Sequence, residues 1–168
     1  MSGGLERLRL LGLADRSAVL FGCCASRPWA KAVAEALDGC SDDADLLELA
    51  DALWWEQPPA QWRAALDAHP RIGDRTPEGS KEGREQGSMA NAGPALRDAI
   101  AEGNRAYEAR FGMTYVVRAK GRSPAELLLL LRTRMDNDQQ TELRVAAEQQ
   151  AEITRLRLTD VLAGKEAA

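Results

Sequence analysis

Histidine and cysteine are scarce in this sequence. His69 is the single histidine among 168 residues, and the three cysteines are Cys23, Cys24 and Cys40. A zinc site normally needs several histidines or cysteines at suitable spacing, and neither the lone histidine nor the adjacent cysteine pair offers that. An odd cysteine count in a chain of this size favours buried, reduced thiols over a disulfide framework. We therefore expect no metal site.

Long hydrophobic runs and an excess of basic charge are also missing. The longest mostly apolar run covers 125–131 and is interrupted by Glu126, whereas a membrane span needs roughly 20 apolar residues. The first residues lack the apolar stretch of a signal peptide, and the C-terminal residues are not a peroxisomal signal. The net charge of −4 provides no basic field for nucleic acid. These features predict a cytoplasmic protein without membrane or nucleic-acid partners.

The composition that remains is that of a soluble helical domain. Apolar residues make up 45% of the chain and charged residues 29%, which is typical of globular proteins. Residues branched at Cβ are few, whereas Ala, Leu, Glu and Arg, which favour helix, are abundant. We therefore predict an all-α chain with one domain over 1–168, large enough to bury its own core.

Hydrophobic periodicity and capping signals predict an irregular bundle of about seven to nine helices. The predicted helices cover 5–11, a segment from Asp15, a segment after Pro28, a segment from Ser41 or Asp42 to Trp55, 61–67, 81–110 with a break at 92–94, a segment opened by a capping box at Ser123, and 138–162. The five consecutive leucines after Ser123 predict a helix buried on most of its circumference. The one extended piece, 114–117, is too short and solitary to form a sheet.

The last predicted helix carries a charge on its apolar side. Successive helical residues are rotated by about 100°, and this places five apolar residues on one face: Leu143, Ala146, Ile153, Leu156 and Val161. Arg157 falls in the middle of that face, and Arg155 points almost to the opposite side. A guanidinium on an inward face needs a carboxylate, either from the protein or from a ligand. A salt bridge within the protein is the more common of the two.

The segment around the lone histidine has the features of a fixed loop. Pro70 restricts His69 to extended geometry, and Gly73 permits a turn that other residues avoid. An imidazole gains or loses a proton near neutral pH, so His69 can serve as an acid or a base. Taken singly, a lone histidine is more often structural than catalytic, and Glu85 would usually be a solvated helix residue.

Four segments, however, resemble one known family. They are His69-Pro-Arg-Ile-Gly, Arg84-Glu85-Gln86, Asn104-Arg-Ala-Tyr107-Glu-Ala-Arg-Phe111-Gly112 and Ile153-Thr-Arg-Leu-Arg157-Leu. In this order and at this separation they resemble the 2-oxo-4-hydroxy-4-carboxy-5-ureidoimidazoline (OHCU) decarboxylases. The resemblance implies an all-α homodimer that needs no cofactor. It also implies an enzyme of urate degradation that converts OHCU to (S)-allantoin with loss of carbon dioxide.

The resemblance also implies a role for individual residues. His69 corresponds to the catalytic histidine and Glu85 to its partner carboxylate. Seven further residues correspond to positions that contact substrate: Pro70, Glu82, Gln86, Tyr115, Val117, Ala119 and Arg157. Glu82 stands where the family commonly has a serine, and Ser80 is the alternative for that serine's place. The residues after Gln86, Gly-Ser-Met, also differ from the usual small apolar run.

Two other classes of protein fit the sequence less well. A non-catalytic helical interaction module, or a relative that has lost activity, would have a similar overall pattern, with His69 and Arg157 in structural roles. A helix-turn-helix DNA-binding protein would need an exposed basic recognition helix. The arginines here are instead scattered among acidic residues.

Overall fold

The chain is all-α, as predicted. The computed structural model describes residues 3–74 and 80–165, and within those ranges it contains nine α-helices, two short 3-10 helices and no strand. The α-helices are α1 (Gly4–Arg9), α2 (Leu13–Cys23), α3 (Arg27–Ala36), α4 (Asp43–Glu56), α5 (Pro59–Asp67), α6 (Lys81–Glu85), α7 (Pro94–Phe111), α8 (Pro124–Arg134) and α9 (Gln139–Leu162). The 3-10 helices are Leu37–Gly39 and Gly87–Asn91. None of the helices described is both long and apolar enough to cross a membrane.

The chain divides into two compact units. One comprises residues 1–65 and 151–168, and the other comprises residues 66–150. The long helix α9 runs through both, so its first half belongs to the second unit and its last half to the first. The loop that contains His69 lies in the second unit, whereas Arg157 lies in the first.

In the first unit, the core is formed by large apolar side chains of α2, α3 and α4. Among the buried ones are Leu20, Trp29, Val33, Leu46 and Trp54. The indole nitrogen of Trp29 donates to the carbonyl oxygen of Ala50 at 2.9 Å, which satisfies its only polar group inside the core. The three cysteines are buried, as predicted, and none of them is bonded to another.

In the second unit, α7 and α8 pack closely. A Cβ atom at Gly103 would stand 2.9 Å from a methyl carbon of Leu131, so only glycine allows this approach without a shift of the leucine. Ser123 and Glu126 form the predicted capping box, with Pro124 opening the helix. The prediction that α8 is buried on most of its circumference is wrong, because five of its eleven residues are exposed, among them Leu129 at 65%. Five consecutive leucines point in all directions around a helix, so one must face away from the core.

The segment that follows the His69 loop is less regular than predicted. A continuous helix was expected from Lys81, but α6 ends at Glu85 and the 3-10 helix Gly87–Asn91 follows. Glycine at position 87 and serine at position 88 weaken the α-helix there. The predicted break before Pro94 is confirmed, since Gly93 caps α7 and Pro94 opens it.

The buried face of α9 also differs from the predicted one. Leu143, Leu156 and Val161 are only half-buried. The residues that are buried on this helix include Glu142, Ala146, Gln150, Ile153, Thr154 and Leu158. Three of these are polar, so a pattern of apolar residues alone could not locate the face correctly.

Candidate functional site

His69 is held at the point where α5 ends. Its backbone N–H donates to the carbonyl oxygen of Leu66 at 3.2 Å, which closes the last turn. Pro70 disfavours helical geometry at His69, so the chain leaves the helix here. The imidazole is half-buried, and its Nε2 lies 2.6 Å from Oε1 of Gln150. The lone histidine therefore has a fixed backbone and a fixed ring nitrogen.

The loop after His69 is tied down at two further points. Ile72 is buried, and its carbonyl oxygen accepts from the side-chain amide of Asn104 at 3.0 Å. Gly73 has φ of +90°, a conformation that favours glycine, so the predicted turn is present. Its backbone N–H donates to Oε1 of Gln86 at 3.0 Å. The predicted loop continues to 79, but residues 75–79 lie outside the described part of the chain.

Arg71 connects the same loop to α7. Its guanidinium donates to both carboxylate oxygens of Glu108, at 2.5 and 3.0 Å. The hydrogen bonds from Arg71 lower the pKa of Glu108. Arg71 is therefore occupied by a structural ion pair.

The Gln86–Gly73 hydrogen bond brings the end of α6 to this loop. Glu85 is the last residue of α6 and is half-buried, and Gln86 follows it. The hydroxyl oxygen of Ser80 accepts from the backbone N–H of Gly83 at 3.1 Å, so Ser80 caps α6. Glu82 lies one turn before Gln86 with its carboxylate 3.8 Å from the Lys81 ammonium. That ammonium partly offsets the extra negative charge which Glu82 brings to this segment.

Residues 114–119, which form no helix and are called the extended segment below, are largely buried and are fixed by side chains from two helices. Tyr115, Val117 and Ala119 are all less than 7% exposed. The guanidinium of Arg134 donates to the carbonyl oxygen of Val116 at 2.7 Å. The backbone N–H of Arg118 donates to Oε1 of Gln149 at 2.9 Å.

Tyr115 supports α8 with its side chain. Its hydroxyl donates to the carbonyl oxygen of Leu127 at 3.0 Å. Burial raises the pKa of Tyr115 to about 12, so the phenol stays neutral at physiological pH. A contribution of Tyr115 to a substrate site would therefore come from its backbone.

Two adjacent glutamines of α9 hold parts of the predicted site, although neither was predicted as a site residue. Gln149 binds the extended segment and Gln150 binds His69. A glutamine in a charged, amphipathic helix is usually solvated, so composition and spacing do not single it out. Only its spacing pointed to Gln150, which lies four residues after Ala146 and three before Ile153. All three residues are on the buried face of α9.

A cavity of about 360 Å³ lies beside the His69 loop in the second unit. Among its lining residues are Arg71, Arg97, Asn104 and Arg105. The Oδ1 atom of Asn104 is buried and accepts no hydrogen bond from the residues described. None of the residues predicted to contact substrate lines this cavity.

In the first unit, the two arginines near the end of α9 have different surroundings. Arg157 is half-buried, and its Nη1 lies 3.5 Å from the carbonyl oxygen of Cys23. Arg155 is exposed, with its guanidinium 3.5 Å from the carboxylate of Glu48. The exposure of Arg155 agrees with its predicted place almost opposite Arg157 on the helix.

The chemistry that the second unit can perform is proton transfer. The imidazole of His69 is fixed in orientation by its contact with Gln150. The hydrogen bond from Gly73 to Gln86 brings the end of α6, with the carboxylate-bearing residue Glu85, to the same loop. Within 3–74 and 80–165, no group of three or more histidine, cysteine, aspartate or glutamate side chains is arranged to hold a metal ion.

The chain is similar to known proteins over most of its length. The family model described as OHCU decarboxylase matches residues 11–159. An Arabidopsis thaliana protein, uric acid degradation bifunctional protein TTL, is 30% identical over 85% of this chain and 46% of its own length. The OHCU decarboxylase of Amia calva is 31% identical over 71% of this chain and 70% of its own length. The chain thus spans about half the length of the Arabidopsis relative.

Solved structures share the fold. A crystal structure of OHCU decarboxylase in the presence of (S)-allantoin superposes with a TM-score of 0.76 and is 30% identical, covering 85% of this chain and 96% of that one. A crystal structure of (S)-allantoin synthase superposes with a TM-score of 0.74 at 20% identity, covering 94% of this chain and 54% of that one. The second likeness concerns the fold alone.

Proposed function

Because this chain belongs to the OHCU decarboxylase family, we propose that it is a carboxy-lyase that converts OHCU to (S)-allantoin and carbon dioxide in urate degradation. The observation that carries the proposal is the way in which His69 is held. It is the only histidine in the chain, and it lies in a loop whose backbone and ring are both held by hydrogen bonds. An imidazole fixed in this way is suited to proton transfer near neutral pH.

The reaction needs proton transfers but no separate electron acceptor. OHCU has a carboxylate on a carbon that also bears a hydroxyl group, next to a ring imine. When the bond to the carboxylate breaks, its electron pair forms a double bond to the neighbouring imine carbon. The π bond of the imine breaks at the same time, its electron pair moves to the nitrogen, and the nitrogen takes up a proton. The resulting enol loses its hydroxyl proton and gains a proton at the neighbouring carbon. The sum is one proton consumed and one carbon dioxide released.

The residues predicted for the site match these requirements. We assign the proton transfers to His69 and Glu85, of which either could deliver the proton to carbon. Gln86 offers an amide for hydrogen bonding to the substrate. The assignment of Arg157 to the substrate's carboxylate or ureido group follows from the family resemblance, since a guanidinium binds such planar groups through paired hydrogen bonds.

The backbone of the extended segment completes the proposal. Pro70, Glu82, Tyr115, Val117 and Ala119 are assigned to substrate contact because they match the family's positions. The burial of the last three supports a rigid wall in the second unit. A rigid wall can select the face of the planar enol that receives the proton, and so can fix the product's configuration.

An assay with freshly generated OHCU tests the activity. The purified protein should speed the appearance of optically active (S)-allantoin above the rate of spontaneous decay, which gives racemic product. A non-catalytic interaction module or an inactive relative would leave both the rate and the optical activity unchanged. EDTA should not inhibit, because no metal is implied. Inhibition by EDTA that zinc reverses would contradict the cofactor-free assignment.

We also propose that the protein is a cytoplasmic homodimer. The dimer follows from the family resemblance, and two exposed leucines of the first unit are consistent with a covered surface: Leu10 is 84% exposed and Leu13 49%. Sedimentation at micromolar protein should give twice the chain mass of 18.3 kDa. A mass equal to one chain would contradict the dimer without affecting the proposed reaction.

A further inference from the structure

Gln150 is a polar side chain that the proposed chemistry does not yet use. It is fully buried on α9, where Ala146, Ala147 and Thr154 are buried as well. Burying an amide costs free energy unless it forms hydrogen bonds. Its carbonyl oxygen lies 2.6 Å from Nε2 of His69. A glutamine with no contact to solvent is thus in direct contact with the predicted catalytic ring.

We propose that Gln150 is a positioning residue for His69: its Oε1 accepts a hydrogen bond from Nε2–H and thereby fixes which ring nitrogen carries the proton. The neutral imidazole is then the Nε2–H tautomer, and Nδ1 is the nitrogen that takes up and releases the proton in the reaction. The second part of this inference rests on the proposed decarboxylase function, whereas the first part does not.

The direction of the hydrogen bond follows from the chemistry of the two groups. The oxygen of a carboxamide can only accept, so the nitrogen facing it must be the donor. A neutral imidazole has one N–H, and placing it at Nε2 leaves the lone pair at Nδ1. The bond persists when the ring gains a second proton, since Nε2 remains a donor. Gln150 can therefore hold the ring throughout a catalytic cycle.

An uncharged partner suits a ring that must both gain and lose a proton. A carboxylate in the same place would favour the imidazolium and oppose proton release. The carboxamide of Gln150 has no charge at any accessible pH, so it orients the ring with little bias towards either protonation state. This is the property that distinguishes Gln150 from an acidic partner such as Glu85.

Gln149, the residue before Gln150, holds a second part of the predicted site. Gln149 accepts from the backbone N–H of Arg118 at 2.9 Å, so one turn of α9 holds both the extended segment and His69. Because His69 is also fixed through its own backbone N–H to Leu66, the hydrogen bond to Gln150 restricts the remaining rotation of the ring. A loss of Gln150 should loosen the ring without unfolding the loop.

The single histidine makes the tautomer directly measurable. With ¹⁵N-labelled histidine, a long-range ¹H–¹⁵N correlation spectrum shows one imidazole and needs no assignment. At a pH where the ring is neutral, we expect a pyrrole-type shift at Nε2 and a pyridine-type shift at Nδ1. The reverse pattern in the wild-type protein would overturn the proposal, whether or not the protein decarboxylates OHCU.

Variants connect the tautomer to turnover. Gln150→Leu removes the acceptor at similar size, and it should give averaged nitrogen shifts and lower kcat by about tenfold with a much smaller change in KM. Gln150→Glu restores an acceptor, so it should restore the Nε2–H pattern and raise the pKa of His69 because a carboxylate stabilises the imidazolium. Gln140→Leu, at an exposed glutamine of the same helix, is the matched control and should change neither spectrum nor kcat.

The outcomes separate this inference from the proposed function. If the wild-type protein shows the Nε2–H pattern but has no activity on OHCU, the fixed tautomer stands and the catalytic role of Nδ1 falls with the proposed function. If Gln150→Leu keeps both the wild-type pattern and wild-type kcat, Gln150 does not position His69. If Gln150→Leu does not fold, the wild-type spectrum and Gln150→Glu still decide the point.

Discussion

At the scale of single residues, we propose that His69 and Glu85 carry out the proton transfers. His69→Asn and Glu85→Gln should each lower turnover of OHCU by about a hundredfold or more, since a positioned acid or base typically contributes that much. Both side chains are only half-buried, so the helical circular dichroism of the variants should match that of the wild-type protein. Near-native turnover in either variant would show that the residue is not catalytic.

The two arginines of α9 provide a matched pair for the substrate-binding prediction. Arg157→Ala should lower kcat/KM by about a hundredfold, the loss expected when a charge-assisted contact of roughly 3 kcal/mol is removed. Arg155→Ala should change it little, because Arg155 is exposed and pairs with Glu48 at the surface.

A structural role for Arg157 would give a different result. Its Nη1 lies 3.5 Å from the carbonyl oxygen of Cys23, so Arg157→Ala would then lower the melting temperature and leave kcat/KM nearly unchanged. If Arg155→Ala has the larger effect on turnover, the argument from helical periodicity is wrong and Arg155 is the substrate-binding residue.

Residue-level prediction succeeded where backbone chemistry is restrictive. Pro70 and Gly73 predict a turn after His69 because each allows few conformations, and the turn is present. Gln149 and Gln150 could not be predicted, since a glutamine gains its role only from the groups that the fold places opposite it. Their partners, Arg118 and His69, are 31 and 81 residues away in the sequence.

At the scale of helices, partners that are distant in the sequence also explain why the buried face of α9 differs from the predicted one. Apolar periodicity assumes that the buried side of a helix is apolar. On α9 the fully buried positions include Glu142, whose carboxylate binds Arg134 at 2.6 Å and the hydroxyl of Tyr107 at 2.8 Å. The apolar periodicity of α9 cannot predict that Glu142 is buried, because the residues that pair with it come from α7 and α8.

The buried cluster around Glu142 should determine the stability of the second unit. Glu142→Ala leaves the Arg134 guanidinium buried without its carboxylate, and we expect a loss of about 3–5 kcal/mol in the free energy of unfolding. Urea denaturation measures it. The double variant Arg134→Met with Glu142→Leu should lose much less than the sum of the two single losses, because it removes both charges together.

This cluster also reaches the predicted site, since Arg134 donates to the carbonyl oxygen of Val116. The double variant should therefore fold but decarboxylate poorly, with a raised KM from the loosened segment. If its losses are additive and its KM is unchanged, the pair neither couples the helices nor orders the segment.

At the scale of the whole molecule, composition predicted the fold class correctly. Abundant helix formers and few residues branched at Cβ fix an all-α chain without reference to any tertiary contact. The division into two units could not be read from the sequence. It depends on where α9 exchanges one set of packing partners for another, and no linker of glycine, proline or serine marks that point.

The tyrosines allow a test of the core by pH alone. The chain has two, Tyr107 and Tyr115, and burial raises the pKa of each phenol, that of Tyr115 to about 12. Below pH 10 both phenols are neutral in the folded and the unfolded chain, so their ionisation does not lower the free energy of unfolding. As the pH rises from 10 towards 12, the unfolded chain ionises first, and the free energy of unfolding should fall by roughly 1.4 kcal/mol per pH unit for each phenol.

Absorbance of the phenolate in the near ultraviolet follows this directly. Because the pKa of Tyr115 is about 12, native protein at pH 11 should show only about a tenth of the Tyr115 phenolate signal. The rest of the signal should appear together with the loss of helical circular dichroism as the protein unfolds. Tyr115→Phe removes one ionising group and should weaken the fall in stability over this range, provided that the loss of the hydrogen bond to Leu127 is measured first at neutral pH. Phenolate absorbance well above that level in fully helical protein at pH 11 would mean that water reaches these side chains, and that the core around the extended segment is more open than the structure indicates.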